Sequence, residues 1–145
     1  QRLAQKGSHM SDFNTQVIAE FRANKGVVGG YFEGANLLIL HTTGAKSGKE
    51  RVNPLVYAKD GDRYVVAASK GGAPSNPDWY HNLAANPNAT IEVGTEQFPV
   101  RATLVTEEPQ RSELYGKLVA HRHGFAEYEE KTTRKIPAVL LERIK

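Results

Sequence analysis

Apolar residues recur along the chain with two different spacings, and the first spacing is that of a helix. Between residues 12 and 25 the apolar side chains are three or four positions apart, at Phe13, Val17, Ile18 and Phe21. Ser11 or Asp12 is placed to cap the helix that this spacing predicts. We expect its apolar face to pack on the core, and peripheral contact with a membrane surface is the alternative. The polar face is not strongly basic, which weakens that alternative.

The middle of the chain changes to the pattern of short strands. The predicted strands cover 36–43, 51–58, 63–69, 90–93, 97–105 and 138–143. Asp60-Gly61 and Gly94-Thr95 are turn pairs that join four of these segments into two hairpins. The first strand is apolar enough to be buried on both faces. Short strands joined by tight turns favour an antiparallel barrel over a parallel sheet.

Two further helices are predicted among the strands. Asn76-Pro77-Asp78 offers a cap residue, a proline at the first helical position and an acid in the first turn, and Asn86-Pro87 ends the helix. The next helix is predicted from about Thr106 to about Ala120, because two glutamates there suit the positive end of a helix dipole. Residues 122–136 are charged and partly helical, and their structure stays open. The pattern as a whole predicts an α+β fold that is mainly β.

The first residues of the chain are unlike the rest. Gly7-Ser8-His9-Met10 is typical of the scar of a cleaved expression tag, so we expect residues 1–9 to be a tag remnant and residues 10–145 to form one domain. Without Arg2 and Lys6, the 19 basic residues fall to 17 against 16 acidic ones. A net charge near +1 gives no reason to expect nucleic acid as a partner, so any anion site must be a local cluster.

Several absences narrow the function further. The sequence has no cysteine, which excludes disulfides and thiol chemistry. No apolar run reaches the ~18 residues of a membrane span, and no secretory signal follows Met10. We therefore expect a cytoplasmic protein without an integral membrane segment. His121 and His123 have no carboxylate partner at a ligand spacing, so we predict no metal site.

The segment from Gly44 to Arg51 combines two glycines with basic and hydroxyl side chains. The glycines let the main chain turn and expose its N–H groups, while Lys46, Ser47 and Arg51 add donors. Such a loop between strands can cradle a phosphate, although it lacks the residue order of a Walker loop. A solvated hairpin tip is the alternative.

A second glycine-rich segment, Ser69 to Pro74, joins a predicted buried strand to a helix start. The N-terminus of a helix attracts anions, and Lys70 would add a mobile charge. A flexible connector is the alternative. Because the two glycine-rich segments follow neighbouring strands, they could converge on one anion.

Two other positions suggest a flat ligand. Pro54 lies inside a strand-like run, where it removes a ladder donor and indicates an edge or a bulge. The exposed main chain there could hydrogen-bond a heterocycle, or the proline could simply protect a strand edge. Trp79 could flank a ring, but packing in the core or at its rim is the better expectation for an isolated tryptophan.

Four motifs follow one another in this order: Thr43-Gly44 with Lys46-Ser47-Gly48, then Arg51-Val52-Asn53-Pro54-Leu55, then Ser69-Lys70-Gly71-Gly72-Ala73-Pro74, then Pro77-x-Trp79-Tyr80-His81-Asn82-Leu83 with Asn86-Pro87. In this order and spacing they resemble the deazaflavin-dependent nitroreductases, and the likeness covers nearly all of Leu37 to Arg143. The resemblance implies a split antiparallel β-barrel, related to the flavin-mononucleotide oxidoreductases, with an N-terminal helix and two or three others.

The resemblance also implies a cofactor and the residues that hold it. Reduced coenzyme F-420 would transfer a hydride to a quinone-like or nitroaromatic acceptor, with the protein orienting the reactants. The implied ligands of the coenzyme's phosphate and acidic tail are Lys46, Arg51 and Lys70, with Ser47 beside them. The implied lining of the deazaflavin is Asn53, Pro54, Leu55, Val56, Ser69, Gly71, Gly72 and Ala73, with Trp79 and Asn82 nearby. Ala45 stands where many members have a basic residue, which leaves one fewer cation for the tail.

Hydride transfer calls for a proton donor at the acceptor. Tyr128, between Glu127 and Glu129, is our catalytic candidate to cover the acceptor, together with Ser69. An ordinary exposed tyrosine is the alternative. Two rival functions stay open: a flavin-mononucleotide oxidoreductase on the same barrel, and a carrier that binds F-420 without turnover.

Overall fold

Seven antiparallel strands form one curled sheet in the computed structural model, which describes residues 9–144. The strands are β1 (Leu37–Thr43), β2 (Glu50–Val56), β3 (Ala58–Asp60), β4 (Arg63–Ala67), β5 (Asn88–Val93), β6 (Glu96–Val105) and β7 (Ala138–Arg143). Their order across the sheet is β2-β1-β5-β6-β7-β4-β3. Only Tyr57 separates β2 from β3, so both edges of the sheet belong to one run of chain and the sheet closes into a barrel. The predicted antiparallel barrel is confirmed.

Four helices accompany the barrel: α1 (His9–Ala23), α2 (Asp78–Ala85), α3 (Gln110–His121) and α4 (Gly124–Lys131). Two short 3-10 turns, Gly30–Phe32 and Lys70–Gly72, lie in the connections. Within residues 9–144, none of these helices is long and apolar enough to cross a membrane.

The strand period places alternate side chains of β1 in two different cores. Leu38 and Leu40 point into the barrel, where Trp79 and Leu83 of α2 pack on them. Leu37 and Ile39 point outwards and pack against Val17 and Phe21 of α1. Strand β1 is therefore buried on both faces, as predicted, and the expected packing of α1 on the core is confirmed. Among the described side chains of α1, Phe13 is the large apolar one that stays exposed.

A second layer covers the other side of β4 and β7. Tyr115 and Leu118 of α3 pack with Val65 of β4 and Leu140 of β7, and Phe125 brings α4 into the same cluster. This cluster fixes α3 and α4 beside the chain that follows β4. The layer therefore helps to position the segment from Ser69 to Pro74.

Several predicted boundaries are wrong for physical reasons. Helix α1 already includes Ser11 and Asp12, so neither residue caps it. Helix α3 begins at Gln110 instead of near Thr106, because a residue before proline is disfavoured in the helical region. Glu108 still serves the helix start, since its carboxylate accepts the backbone N–H of Ser112 at 2.9 Å.

The remaining differences concern segments on which the sequence pattern was ambiguous. The run predicted as one strand over 51–58 is divided at Tyr57 into β2 and β3, which pair with different neighbours. Part of the open segment 122–136 forms α4. The tag prediction concerns residues 1–8, which lie outside the described residues, and His9, where α1 begins.

Candidate functional site

A split in the barrel separates the outer edge of β2 from the chain that leaves β4. Strand β3 pairs with β4 only as far as Ala58 opposite Val65. A continued register would set Pro54 opposite Ser69, but the two strands no longer pair there, and Pro54 has no N–H to donate to a partner. No strand of residues 9–144 covers the outer edge of β2. The proline was correctly interpreted as a sign of an edge strand.

The two predicted ligand segments lie on the two sides of this split. Strand β2 contributes Asn53 to Val56 on one side, and β4 leads into Ser69 to Ala73 on the other. Because β2 and β4 run in opposite directions, the end of β4 approaches the end of β2 that carries Arg51. Topology therefore places the two segments on the two sides of one split, and their convergence on one anion stays a prediction.

The loop from Gly44 to Lys49 is held largely by its own hydrogen bonds. The N–H of Gly44 donates to the Lys49 carbonyl at 2.7 Å, and the N–H of Gly48 donates to the Gly44 carbonyl at 2.9 Å. The N–H of Lys49 donates to Ser47 Oγ at 3.2 Å, and the N–H of Ala45 donates to Asn82 Oδ1 at 2.9 Å. The prediction that this loop exposes its N–H groups is therefore wrong for these four residues.

Side chains, instead, give this loop its positive character. Ser47 Oγ and Arg51 Nε both lie beside Gly44, at 2.6 and 3.7 Å from the position that a Cβ atom on Gly44 would occupy. Gly44 thus leaves the space in which the hydroxyl and the guanidinium approach each other. Lys46 is exposed on the same loop. Together Lys46, Ser47 and Arg51 can present two positive charges and a hydroxyl donor to an anion.

Asn82 connects the first loop to α2. Its side chain is buried, donates from Nδ2 to Thr42 Oγ1 at 3.1 Å and accepts the N–H of Ala45. The second predicted segment leads into the start of the same helix, so roughly 6 Å of helix axis separates Asn82 from the helix start. Asn82 acts as a structural link between the first loop and α2, and its predicted contact with a cofactor stays a prediction.

The turn from Ser69 to Ala73 has an unusual backbone. Lys70, Gly71 and Gly72 have φ angles of 49°, 64° and 86°. Glycine adopts such angles readily, but for Lys70 the left-handed region is unfavourable. Non-glycine residues held in this way cluster at functional sites. The Lys70 ammonium bends back to Ser75 Oγ at 3.4 Å.

Arg134 holds this turn from the other side, a role that the sequence did not reveal. Its guanidinium donates to the carbonyls of Ala68 and Ser69 at 3.0 Å each and to that of Ala73 at 2.9 Å. It also donates to Asn76 Oδ1 at 2.6 Å, so the predicted capping role of Asn76 is wrong. Burial lowers the pKa of Arg134 from its ordinary value.

Helix α4 lies directly on the same turn. A Cβ atom on Gly72 would be 3.1 Å from the Tyr128 carbonyl oxygen and 2.9 Å from Lys131 Cβ. The Tyr128 ring packs edge-on against Phe125, with 5.5 Å between ring centroids. The structure therefore places Tyr128 beside the predicted coenzyme segment, with a partly buried ring. Lys131 is a second residue at this turn that the sequence analysis missed.

A buried polar group fixes α4 to α3. The Tyr115 hydroxyl donates to the Phe125 carbonyl at 2.6 Å, and Arg111 Nη2 lies 2.8 Å from Glu129 Oε2. Arg111 also donates to the Ile136 carbonyl at 2.7 Å and lies over the Tyr115 ring. Burial is the main reason that the pKa of Tyr115 is raised well above its ordinary value. These contacts make α4 a firm support for the turn.

The other predicted positions divide into core and edge. Trp79 is buried among the barrel residues, as the packing interpretation expects, and its implied position beside the coenzyme stays a prediction. Leu55 points into the barrel, and Val56 packs towards the helices outside it. Within residues 9–144 no cluster of three metal-ligating side chains is present. A depression of about 450 Å³ is lined by β1 and β5, by Gly48 and Glu50 at the first candidate loop, and by Ile144.

Comparison with known proteins identifies the family to which this arrangement belongs. Residues 14–143 match the F-420H(2)-dependent quinone reductase family. The chain belongs to this family. An F-420H(2)-dependent quinone reductase of Mycobacterium tuberculosis is 43% identical over 129 residues, which are 86% of this chain and 86% of that protein. The resemblance to deazaflavin-dependent reductases predicted from the four motifs is confirmed.

Solved structures of family relatives agree with the fold. A reductase described as F-420H(2)-dependent is 36% identical, with a TM-score of 0.68 over 79% of this chain and 100% of that one. A second relative, described as a domain-swapped dimer, is 35% identical, with a TM-score of 0.69 over 88% of this chain and 93% of that one. The split barrel is therefore shared with a solved protein described as an F-420H(2)-dependent reductase.

Proposed function

We propose that this protein binds reduced coenzyme F-420 and uses it to reduce a quinone-like organic acceptor. The observation that carries the proposal is the 43% identity, over most of both chains, to a protein named as an F-420H(2)-dependent quinone reductase. The name of that relative also favours a quinone over a nitroaromatic acceptor. A nitroaromatic compound would be an incidental substrate of the same site.

The charges around the split fit the phosphate and acidic tail of F-420. Arg51 and Lys46 lie on one side and Lys70 on the other. The nearest carboxylate in sequence, that of Glu50, is turned to the opposite face of β2, where His41 Nδ1 lies 3.0 Å away. The Glu50 carboxylate is therefore not aimed at the face of β2 that carries Arg51. A charge-assisted hydrogen bond from each cation would contribute about 1.5–3 kcal/mol.

The main chain on both sides of the split fits a flat heterocycle. The main-chain groups of β2 that do not face β1 have no strand beside them within residues 9–144, so they are available to a ligand. Ser69 to Ala73 would close the other side of the ring. F-420 supplies the hydride when it is bound, and these residues orient it and limit the access of water.

The acceptor would enter beside α4. The Tyr128 backbone already contacts the Gly72 position, so a ligand on the turn would lie near this helix. Tyr128 and Ser69 remain our candidates for delivering the proton that accompanies reduction. A cytoplasmic location is our expectation for a reaction between a small coenzyme and an organic acceptor.

A pair of titrations tests the proposal. F-420 and flavin mononucleotide are each titrated into the purified protein, and F-420 fluorescence or flavin absorbance reports binding. We expect F-420 to bind at least tenfold more tightly, which corresponds to about 1.4 kcal/mol. Equal or reversed affinity would contradict the cofactor assignment. Oxidation of reduced F-420 is then followed with a soluble quinone, and tight binding without turnover on any acceptor would identify a carrier.

A further inference from the structure

We propose that Arg134 is a positioning residue that holds the Ser69–Ala73 turn in the shape needed to bind F-420. Its guanidinium donates hydrogen bonds to main-chain carbonyls at both ends of the turn. Ala68 and Ser69 accept at the start of the turn, and Ala73 accepts at its end. The inference rests on the proposed function, because it assigns a role in binding the coenzyme of that reaction. Arg134 itself need not touch the coenzyme.

The turn needs an external support because its own hydrogen bonds are few. Within the turn, the Gly72 N–H donates to the Ser69 carbonyl at 2.9 Å and the Ala73 N–H donates to the Lys70 carbonyl at 3.1 Å. Against these stands the left-handed conformation of Lys70, at a φ of 49°. A residue held in such a region persists only when its surroundings enforce it. Arg134 provides that enforcement across the turn.

The geometry requires an arginine. Nε and Nη2 reach carbonyls on opposite sides of the turn, and Nη1 reaches Asn76 at the entrance to α2. The planar guanidinium can donate hydrogen bonds in these three directions at once, whereas a lysine ammonium is a point charge on a flexible stem. A lysine at position 134 would keep the charge and lose the connection between the two ends.

The partners of Arg134 also explain why its charge can matter at the site. Its hydrogen bonds go to three carbonyls and one amide oxygen, which are neutral groups. The positive charge is therefore not cancelled by a carboxylate in these bonds. Two mechanisms could connect Arg134 to coenzyme binding: shaping the turn, or simple charge attraction. The bridging geometry favours the first.

Two substitutions separate these mechanisms. Arg134→Lys keeps the charge and Arg134→Gln removes it, and both lose the bridging geometry. We expect both variants to bind F-420 at least tenfold more weakly than the wild type and within threefold of each other. The KM for reduced F-420 should rise with them, while the KM for a soluble quinone stays within twofold. A general defect of the fold would not raise the KM for reduced F-420 while leaving the KM for the quinone unchanged.

Arg22→Gln is the matched control. Arg22 is another arginine with two hydrogen bonds to one partner, Glu92, but its side chain is half exposed and it lies on α1, away from the turn. This variant should lower the melting temperature without changing the affinity for F-420. Asn76→Ala, which removes one acceptor only, provides a milder variant in case both Arg134 variants fail to fold. It should weaken F-420 binding by about twofold to fivefold.

The outcomes are distinct. Wild-type affinity in Arg134→Lys with weak binding in Arg134→Gln would overturn the positioning role in favour of charge attraction. Wild-type affinity in both variants would overturn the inference while leaving the proposed function intact. Absence of F-420 binding by the wild type would overturn the proposed function, and the inference with it. If only Asn76→Ala folds, unchanged F-420 affinity in that variant overturns the inference.

Discussion

Gly72 lies against Tyr128: a Cβ atom added to Gly72 would be 3.1 Å from the Tyr128 carbonyl oxygen. The same atom would be 2.9 Å from Lys131 Cβ, so helix α4 approaches the turn as closely as a glycine allows. Gly71, the preceding residue, has a comparable left-handed backbone but open space around it, with nothing within 4 Å. Substitution of Gly71 therefore tests the backbone preference alone, whereas substitution of Gly72 tests the backbone preference together with close packing.

We expect Gly72→Ala to be clearly more damaging than Gly71→Ala. Both substitutions place a Cβ atom on a left-handed backbone, which costs about 1–2 kcal/mol. Only Gly72→Ala adds overpacking against α4, for a further ~1–3 kcal/mol. Urea unfolding of the two variants measures the difference directly. Equal losses of unfolding free energy would mean that α4 moves away easily and does not support the turn.

Local sequence signals were sufficient to predict part of this fold. They predicted the two hairpins, since Asp60-Gly61 and Gly94-Thr95 are turns in the structure. The apolar run of β1 likewise predicted a strand that is buried on both faces. The division at Tyr57 was not predictable, since it depends on which strand pairs with each half of the run.

The candidate site shows the same difference between local and distant signals. Lys46, Arg51 and Lys70 were found because they lie in glycine-rich motifs. Arg134 lies 61 positions from Ala73, in a charged segment without a motif, and only the folded structure brings the two together. The hydrogen bonds within the first loop were also missed, because a glycine-rich sequence does not say where its N–H groups point.

The cations at the split are predicted to act as one anion site. We expect Lys70→Ala to weaken F-420 binding about tenfold or more, and Arg51→Ala by as much or more, because a guanidinium can bind two phosphate oxygens. Their effects should not be additive, since both residues bind the same ligand. Titrations at low and high salt measure this, with a smaller salt dependence expected in each single variant.

Lys59→Ala is the control for the cation variants. Lys59 belongs to β3, on the other part of the β2–β3 run, and its ammonium lies over the Tyr64 ring. Its removal should leave F-420 affinity within twofold of the wild type. If Lys70→Ala and Arg51→Ala also bind like the wild type, the glycine-rich segments are only turns and the anion site is wrongly assigned.

Glu92 provides a test of stability that is independent of the coenzyme. Its carboxylate accepts Arg22 Nη2 at 2.6 Å and lies 2.6 Å from His41 Nε2, so it joins α1 to the sheet. The hydrogen bond from Arg22 is the main cause that lowers the pKa of Glu92 from its ordinary value of 4.5, and His41 adds to it. A carboxylate with a lowered pKa stabilises the fold at higher pH, and this contribution is lost as the pH falls through its folded-state value.

We therefore expect Glu92→Gln to lower the free energy of unfolding by about 1–3 kcal/mol at pH 7. The difference from the wild type should begin to shrink below the ordinary pKa of 4.5, where the carboxyl is protonated in the unfolded state, and should be lost once the pH falls through the lowered folded-state pKa. Denaturant unfolding between pH 3 and 7 is the measurement. Glu96→Gln is the control, since its exposed pair with Arg143 at 3.8 Å should contribute little. A constant difference across this pH range would show that the charge of Glu92 is not responsible.

The role of Tyr128 can be separated from its packing by removing only its hydroxyl group. The ring packs against Phe125 and belongs to the α3–α4 cluster, so Tyr128→Phe should keep the fold and the contact with Gly72. If the hydroxyl delivers a proton to the acceptor, turnover with a soluble quinone should fall about 100-fold, while F-420 affinity stays within twofold.

Tyr115→Phe is a contrasting variant, because that hydroxyl is buried and donates to the Phe125 carbonyl at 2.6 Å. Its loss should lower stability by about 1–3 kcal/mol and leave turnover nearly unchanged in the folded protein. Steady-state kinetics at saturating reduced F-420, beside thermal melts of both variants, distinguishes the two hydroxyls. Unchanged turnover of Tyr128→Phe with every quinone tested would remove Tyr128 from the reaction and leave it as a packing residue of α4.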